Sequence, residues 1–228
     1  MRIPASFPFL LLLAAPALAA GVDIAWDGCL GDPEAVSLKT FACDTNIGEH
    51  LLYVSFVPAV AFSPVQILEV ALEVRTRGGF PLSAWWDVGI EGCRRSQFGP
   101  TLGVSSTPSC EGWSPPPDFS VNRFNYRSPT ADVARMVVST RGVSTGVLAG
   151  HHYLACRLTV RHPRTVGAGS CAGCLEPVDI TVSAVRLGTL TTEQVLTQPQ
   201  TSARALWQQE TPVATRASTW GALKSLYR

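Results

Sequence analysis

Charge is sparse in this 228-residue sequence: only 15% of it is Asp, Glu, Lys or Arg, and the 18 basic residues nearly cancel the 17 acidic ones. Phosphate binding draws on a basic surplus, so nucleic acid is not an expected partner. Long apolar runs are also missing. The longest, from Phe7 to Leu18, is interrupted by Pro8 and Pro16, and no later stretch reaches the roughly 20 residues of a membrane-spanning helix. Helical periodicity is nearly absent, and no repeat recurs at solenoid or propeller spacing.

What the sequence does have begins at its N-terminus. Met1-Arg2, the apolar run and the small residues Ala17-Leu18-Ala19 make a signal peptide over residues 1–20, with cleavage expected near Ala19 or Ala20. The first cysteine, Cys29, stands too far on to carry a lipid anchor. Export makes a secreted or cell-surface location the expectation, and it makes the seven cysteines a disulfide set with one left over. Nearest-neighbour pairing joins Cys29 to Cys43, Cys93 to Cys110, and Cys171 to Cys174. Six cysteines allow about 15 connectivities, so that pairing is a preference.

Alternation dominates the middle of the chain. In Leu68-Glu69-Val70-Ala71-Leu72-Glu73-Val74-Arg75 the even positions are apolar, the pattern of a half-buried strand. Residues 152–160 repeat it, with Leu154, Cys156, Leu158 and Val160 inward, which makes Cys156 a buried thiol. Residues 178–184 do so again, with the even positions inward. Fainter strands are expected at 22–26, 51–57, 84–88 and 135–140. Short strands between Gly- and Pro-rich connections predict an all-β, antiparallel, immunoglobulin-like β-sandwich over residues 21–190. Residues 89–125 read as an irregular stapled loop and 191–218 as a Thr/Gln-rich tail or linker. In 219–228, Trp220, Leu223 and Tyr227 fall on one face of a short amphipathic helix, an attachment segment that could meet an export or surface partner.

Each candidate chemistry has a plainer counterpart. Cys171-Ala172-Gly173-Cys174 could be a redox dithiol, but its Gly-rich flank favours a loop disulfide. His151 and His152 are adjacent and point apart on a strand, while His50 and His162 lie far away in sequence; no metal site is expected. Asp23, Asp27, Asp32 and Asp44 lack the spacing of a calcium loop and suit turns and caps. Trp85-Trp86 on a strand would bury one ring and expose the other. With Trp86 outward, Trp113, Phe119 and Tyr126 could join it in an aromatic platform for a carbohydrate or a protein.

Phe41-Ala42-Cys43-Asp44-Thr45-Asn46, Trp85-Trp86, the segment Thr165 to Cys174, and Thr219-Trp220-Gly221-Ala222-Leu223-Lys224-Ser225-Leu226-Tyr227-Arg228 together resemble a family of uncharacterised secreted bacterial proteins. The resemblance spans nearly all of the chain after the leader and implies no activity. Relatives carry a third cysteine where Val178-Asp179-Ile180 stands and an aromatic where Cys156 stands. The expectation is a secreted or surface non-enzymatic β-sandwich, structural or binding a protein or carbohydrate, without catalytic residues, metal or cofactor. A thiol-active protein using Cys171 and Cys174, or a metal-binding module, is the alternative.

Overall fold

A computed structural model describes residues 20–102, 107–112, 120–144, 146–197, 199 and 203–208. Two β-sheets pack face to face. The smaller holds β1 (Gly21–Trp26), β3 (Glu49–Val57), β8 (Tyr153–Arg161) and β5 (Phe98–Leu102), in the order β1-β3-β8-β5, all antiparallel. The larger runs β2-β11-β9-β4-β7-β6, built from β2 (Leu38–Lys39), β11 (Arg204–Trp207), β9 (Val178–Gly188), β4 (Val65–Thr76), β7 (Val133–Ser144) and β6 (Ser120–Thr130). Its pairings are antiparallel except β11 with β2, which is parallel. A further strand, β10 (Glu193–Leu196), folds back on β9, so β9 gives half of one edge to β10 and half to β11.

The alternation that marked β4 is the one the sandwich uses: Leu68, Val70, Leu72 and Val74 are all buried between the sheets, while Glu69, Glu73 and Arg75 face outward into ion pairs with Arg186, Arg135 and Asp132. Exposed pairs of this kind contribute at most about 1 kcal/mol each, so the burial of the aliphatic face holds the strand. Two bulges shift the expected faces. An extra residue in β8 between Leu154 and Cys156 turns Leu154 to the outer face, although it was expected inward. Another at Ser183 in β9 passes the inward role from Val182 to Val185 and Leu187 and takes Ala184 out of line. A strand has a period of two, so one inserted residue exchanges the faces of everything beyond it.

Residues 84–88 form no strand. Ala84–Trp86 is a single 3-10 turn that drives both indoles inward, so Trp85 and Trp86 are each 0% exposed. They meet Trp207 of β11 at centroid distances of 5.0 and 5.7 Å, and Trp26 of β1 lies 5.6 Å from the same ring. The Arg94 guanidinium is buried 3.6 Å above the Trp85 ring and donates a hydrogen bond to the Arg161 carbonyl. Trp207 stands inside the stretch read as a tail. Strands β10 and β11 make residues 193–196 and 204–207 part of the larger sheet, and the sandwich therefore extends past residue 190. The expected C-terminal helix, residues 219–228, lies outside the described residues.

The disulfides differ from nearest-neighbour pairing throughout. Cys29 bonds Cys110, Cys43 bonds Cys174 and Cys93 bonds Cys171, across sequence separations of 81, 131 and 78. The sheet fixes which loops meet, and each bonded pair has Cα atoms about 6 Å apart, the spacing a bridge needs. Cys171 and Cys174 are thus not bonded to each other. Each ties a different loop to the β8–β9 connection, and the remaining cysteine, Cys156, is buried at 0% exposure.

Candidate functional site

The outer face of the smaller sheet carries a polar cleft. The β8 bulge turns Leu154 and His152 to this face, beside Ser55 and Tyr53 of β3. The segment 107–112 lies across it, held by the Cys29–Cys110 bond and by a bridge in which Glu111 N–H donates to the His152 carbonyl and Leu154 N–H donates to that of Glu111. Asp32 fixes the segment from beneath, its carboxylate accepting from the backbone N–H of Cys29 and of Ser109 at 2.8 Å each. Burial alone would raise the Asp32 pKa. Hydrogen bonds from the Thr107 and Ser109 side chains and these two N–H groups outweigh it and hold the carboxyl below its usual range.

The cleft between this segment and residues 150–152 measures about 400 Å³ and is lined by Thr107, Pro108, Ser109, Cys110, Glu111, Gly150, His151 and His152. Adjacent histidines point apart, as expected at the start of a strand. His151 stands at the rim with its Nδ1 2.7 Å from Glu111 Oε1, both side chains about half exposed. His152 points into the protein with Nε2 2.8 Å from Ser55 Oγ. Burial lowers the His152 pKa, and a backbone hydrogen bond at Ser109 and the charges of Asp23 and Asp32 oppose that only in part, so the ring is neutral near pH 7.

A hydroxyl beside a neutral imidazole is the arrangement of a nucleophile and its base. Here Ser55 is 1% exposed and His152 7%, sealed beneath the disulfide-held segment. The pair is a buried polar contact between β3 and the start of β8. Gly142-Val143-Ser144-Thr145-Gly146 does spell the Gly-x-Ser-x-Gly pattern, which a reading for hydrolase motifs must weigh. Its serine ends β7, paired with Val65 of β4, whereas the nucleophile elbow is a strand-to-helix turn.

At the other end of the sandwich the structure joins two histidines that sequence distance had separated. Phe41 stacks on His162 at 4.1 Å, His162 lies 4.6 Å from His50, and His50 meets Trp207 edge-on at 5.3 Å. The signal that could have found this is the pairing of β3 with β8, which sets His50 opposite Val160, two residues before His162. His162 Nδ1 donates to the Ile47 carbonyl. Burial, followed by the neighbouring His162, lowers the His50 pKa to about 4, leaving it neutral. Among the described residues no three His, Cys, Asp or Glu side chains gather as metal ligands.

Trp86 does not take the outward position expected of it in the aromatic platform. Trp86 is core, Tyr126 is partly buried with its phenol pKa raised to about 12, first by burial and then by Asp87, and Trp113 and Phe119 lie outside the described residues. Trp220, Leu223 and Tyr227 lie outside them too. Of the four aspartates, Asp32 ties two loops, Asp27 pairs with Lys39 and Asp23 is buried on β1. Comparison with protein-family models, with curated proteins and with solved structures finds no match to this chain. Its class is defined by its own architecture, an all-β protein of two packed sheets stapled by three disulfides. Among the described residues no helix is long and apolar enough to cross a membrane.

Proposed function

We propose that this is a secreted or cell-surface, non-enzymatic binding protein. The observation that carries the reading is the use of the cysteines: three long-range bridges, each joining separate loops of the sandwich. Bridges persist in oxidising compartments, and here they stiffen connections of the kind that present binding surfaces on sandwiches. The leader fits the fold as well, because β1 opens at Gly21 with Val22 wholly buried, directly after the expected cleavage site. The thiol-active alternative loses its motif, since Cys171 and Cys174 are spent on different partners and are nearly buried.

An immunoglobulin-like assignment has support in the strand order. By spatial order alone, β1, β3, β8 and β5 would correspond to strands A, B, E and D, and β4, β9 and β11 to C, F and G. The β6–β7 hairpin lies beyond β4, where a variable-type domain adds its extra strands, though here the inner of the two comes second in the chain.

The test is expression of the full chain with its leader in a bacterial host, fractionation, and sequencing of the mature N-terminus. Protein beginning near Ala20 or Gly21 outside the cytoplasm, fully oxidised apart from Cys156, is the expected result. Uncleaved, reduced protein in the cytoplasm would sink the reading.

A further inference from the structure

The cleft at residues 107–111 and 150–152 is a binding site for a neutral carbohydrate, we infer, and this rests on the binding reading above. Three features of the site converge on that ligand class. Its volume, about 400 Å³, falls in the range of small-molecule sites, roughly 300–1,000 Å³. Its wall is held in place before any ligand arrives, because the Cys29–Cys110 bond, the Ser109 hydrogen bond to Asp32 and the backbone bonds of Glu111 to His152 and Leu154 anchor residues 109–111. Pre-organisation of this kind removes the ordering cost that weakens binding to mobile loops.

The polar groups decide the chemistry. Thr107 and Ser109 turn their hydroxyls to Asp32, and His152 is committed to Ser55. What the rim offers outward is the His151–Glu111 pair, whose 2.7 Å contact occupies one nitrogen and one oxygen. The second imidazole nitrogen and the second carboxylate oxygen remain on half-exposed side chains. Such a pair gives and accepts hydrogen bonds side by side, which suits two neighbouring hydroxyls of a sugar. An anion would meet Glu111, and a free cation would compete with His151. Beside the pair, Pro108 supplies an apolar wall. Gly150, at φ +76 with open space where a side chain would stand, leaves room for the C–H face of a ring.

The experiment is calorimetric titration of the mature, oxidised protein with cellohexaose, chitohexaose and laminarihexaose, in parallel with His151→Ala, Glu111→Gln and the remote control Glu193→Gln. Both rim side chains are half exposed, so the variants should fold with unchanged melting temperature. The inference expects saturable binding of at least one hexasaccharide, weakened about tenfold or more in each rim variant, the loss of one charge-assisted hydrogen bond, and unchanged in the control. Binding that survives both rim substitutions would overturn the cleft as the site while leaving the binding reading standing. No saturable heat with any of the three up to about 10 mM, well above a ~1 mM Kd, would overturn the carbohydrate assignment. Recovery of reduced protein from the cytoplasm would remove the binding reading separately.

Discussion

Trp207 offers the sharpest test of where the sandwich ends. In a Thr- and Gln-rich tail its replacement would cost almost nothing. In the structure its ring is wholly buried, stacked 5.0 Å from Trp85, within 6 Å of Trp26, Trp86 and His50, and its Nε1 donates to the Cys174 carbonyl at 2.9 Å. Truncating a core tryptophan to alanine costs about 3–5 kcal/mol, and the lost hydrogen bond adds about 1 kcal/mol. Against a net stability of about 5–15 kcal/mol for a domain, Trp207→Ala removes a large share and could prevent folding. Trp207→Phe keeps a ring in place and should lose about 2 kcal/mol, a value between a conservative core change and a full truncation. Urea unfolding followed by far-UV circular dichroism, with disulfides intact, measures both. A loss under about 0.5 kcal/mol for either variant, the range of surface substitutions, would refute the assignment of β11 to the core.

Peptide mapping without reduction should recover Cys29 with Cys110, Cys43 with Cys174 and Cys93 with Cys171; a fragment bridging Cys171 to Cys174 would contradict the fold at that end. Cys156, buried at 0% exposure with its thiol pushed up to about 12 by burial, should resist a membrane-impermeant maleimide until the protein unfolds, and labelling of native protein at the unfolded rate would rule that out. Stability should fall in mild acid. Burial and then His162 hold His50 near 4 in the fold against 6.5 when unfolded, so the unfolded chain takes up the proton first. That contribution is complete above about pH 6.5 and is lost as the pH falls towards 4, about 1–2 kcal/mol once the partial solvent contact of His50 is allowed for. Lys39 adds slightly to the shift and Asp27 opposes it. The carboxyls of Asp32 and Asp179, held below 3.8, act only at lower pH. Urea midpoints at pH 7 and 4.5 should differ less in His50→Leu than in the wild type, and equal differences would exclude His50 as a source.

The sequence betrayed those parts of the fold whose face alternates. β4, β8 and β9 each bury an aliphatic row against the opposite sheet, and such a row leaves a period of two in the residues themselves. β5, β10 and β11 leave no such mark. β10 and β11 are four residues each and bury only Leu196 in the one and Ala205 and Trp207 in the other, and Phe98-Gly99-Pro100-Thr101-Leu102 carries the Gly and Pro of a turn while pairing with β8. Trp85-Trp86 misled for a different reason: the strand rule sends neighbours to opposite faces, whereas a 3-10 turn lets both rings enter the core. The cysteine pairs were illegible because short loops are favoured by chain entropy while the bonded partners are set by sheet order, which no local pattern encodes. The cleft was illegible too, since its two walls lie about forty residues apart in sequence and meet through the Glu111–Tyr153 bridge and the His151–Glu111 contact.

The inserted residue in β8 links these observations to the site. With strict alternation, Leu154 and His152 would share the inner face with Cys156, Leu158 and Val160. His152 would then face the core, away from Ser55 and the segment 107–112. The insertion lets β8 serve two surfaces at once. Below it, Cys156 and Leu158 pack between the sheets; above it, Tyr153 goes inward to Phe56 at 5.6 Å, while Leu154 joins Tyr53 and the Cys29–Cys110 bridge on the outside. His152 can then reach Ser55, which stands opposite Leu154 on β3. The bridge alone could tether the segment, but a tether leaves rotation open. The Ser109 hydrogen bond to Asp32 and the backbone bonds of Glu111 to His152 and Leu154 remove that freedom. One extra residue in a strand thus turns His152 to the face that the segment covers, and the backbone bonds of Glu111 to His152 and Leu154 set its carboxylate 2.7 Å from His151.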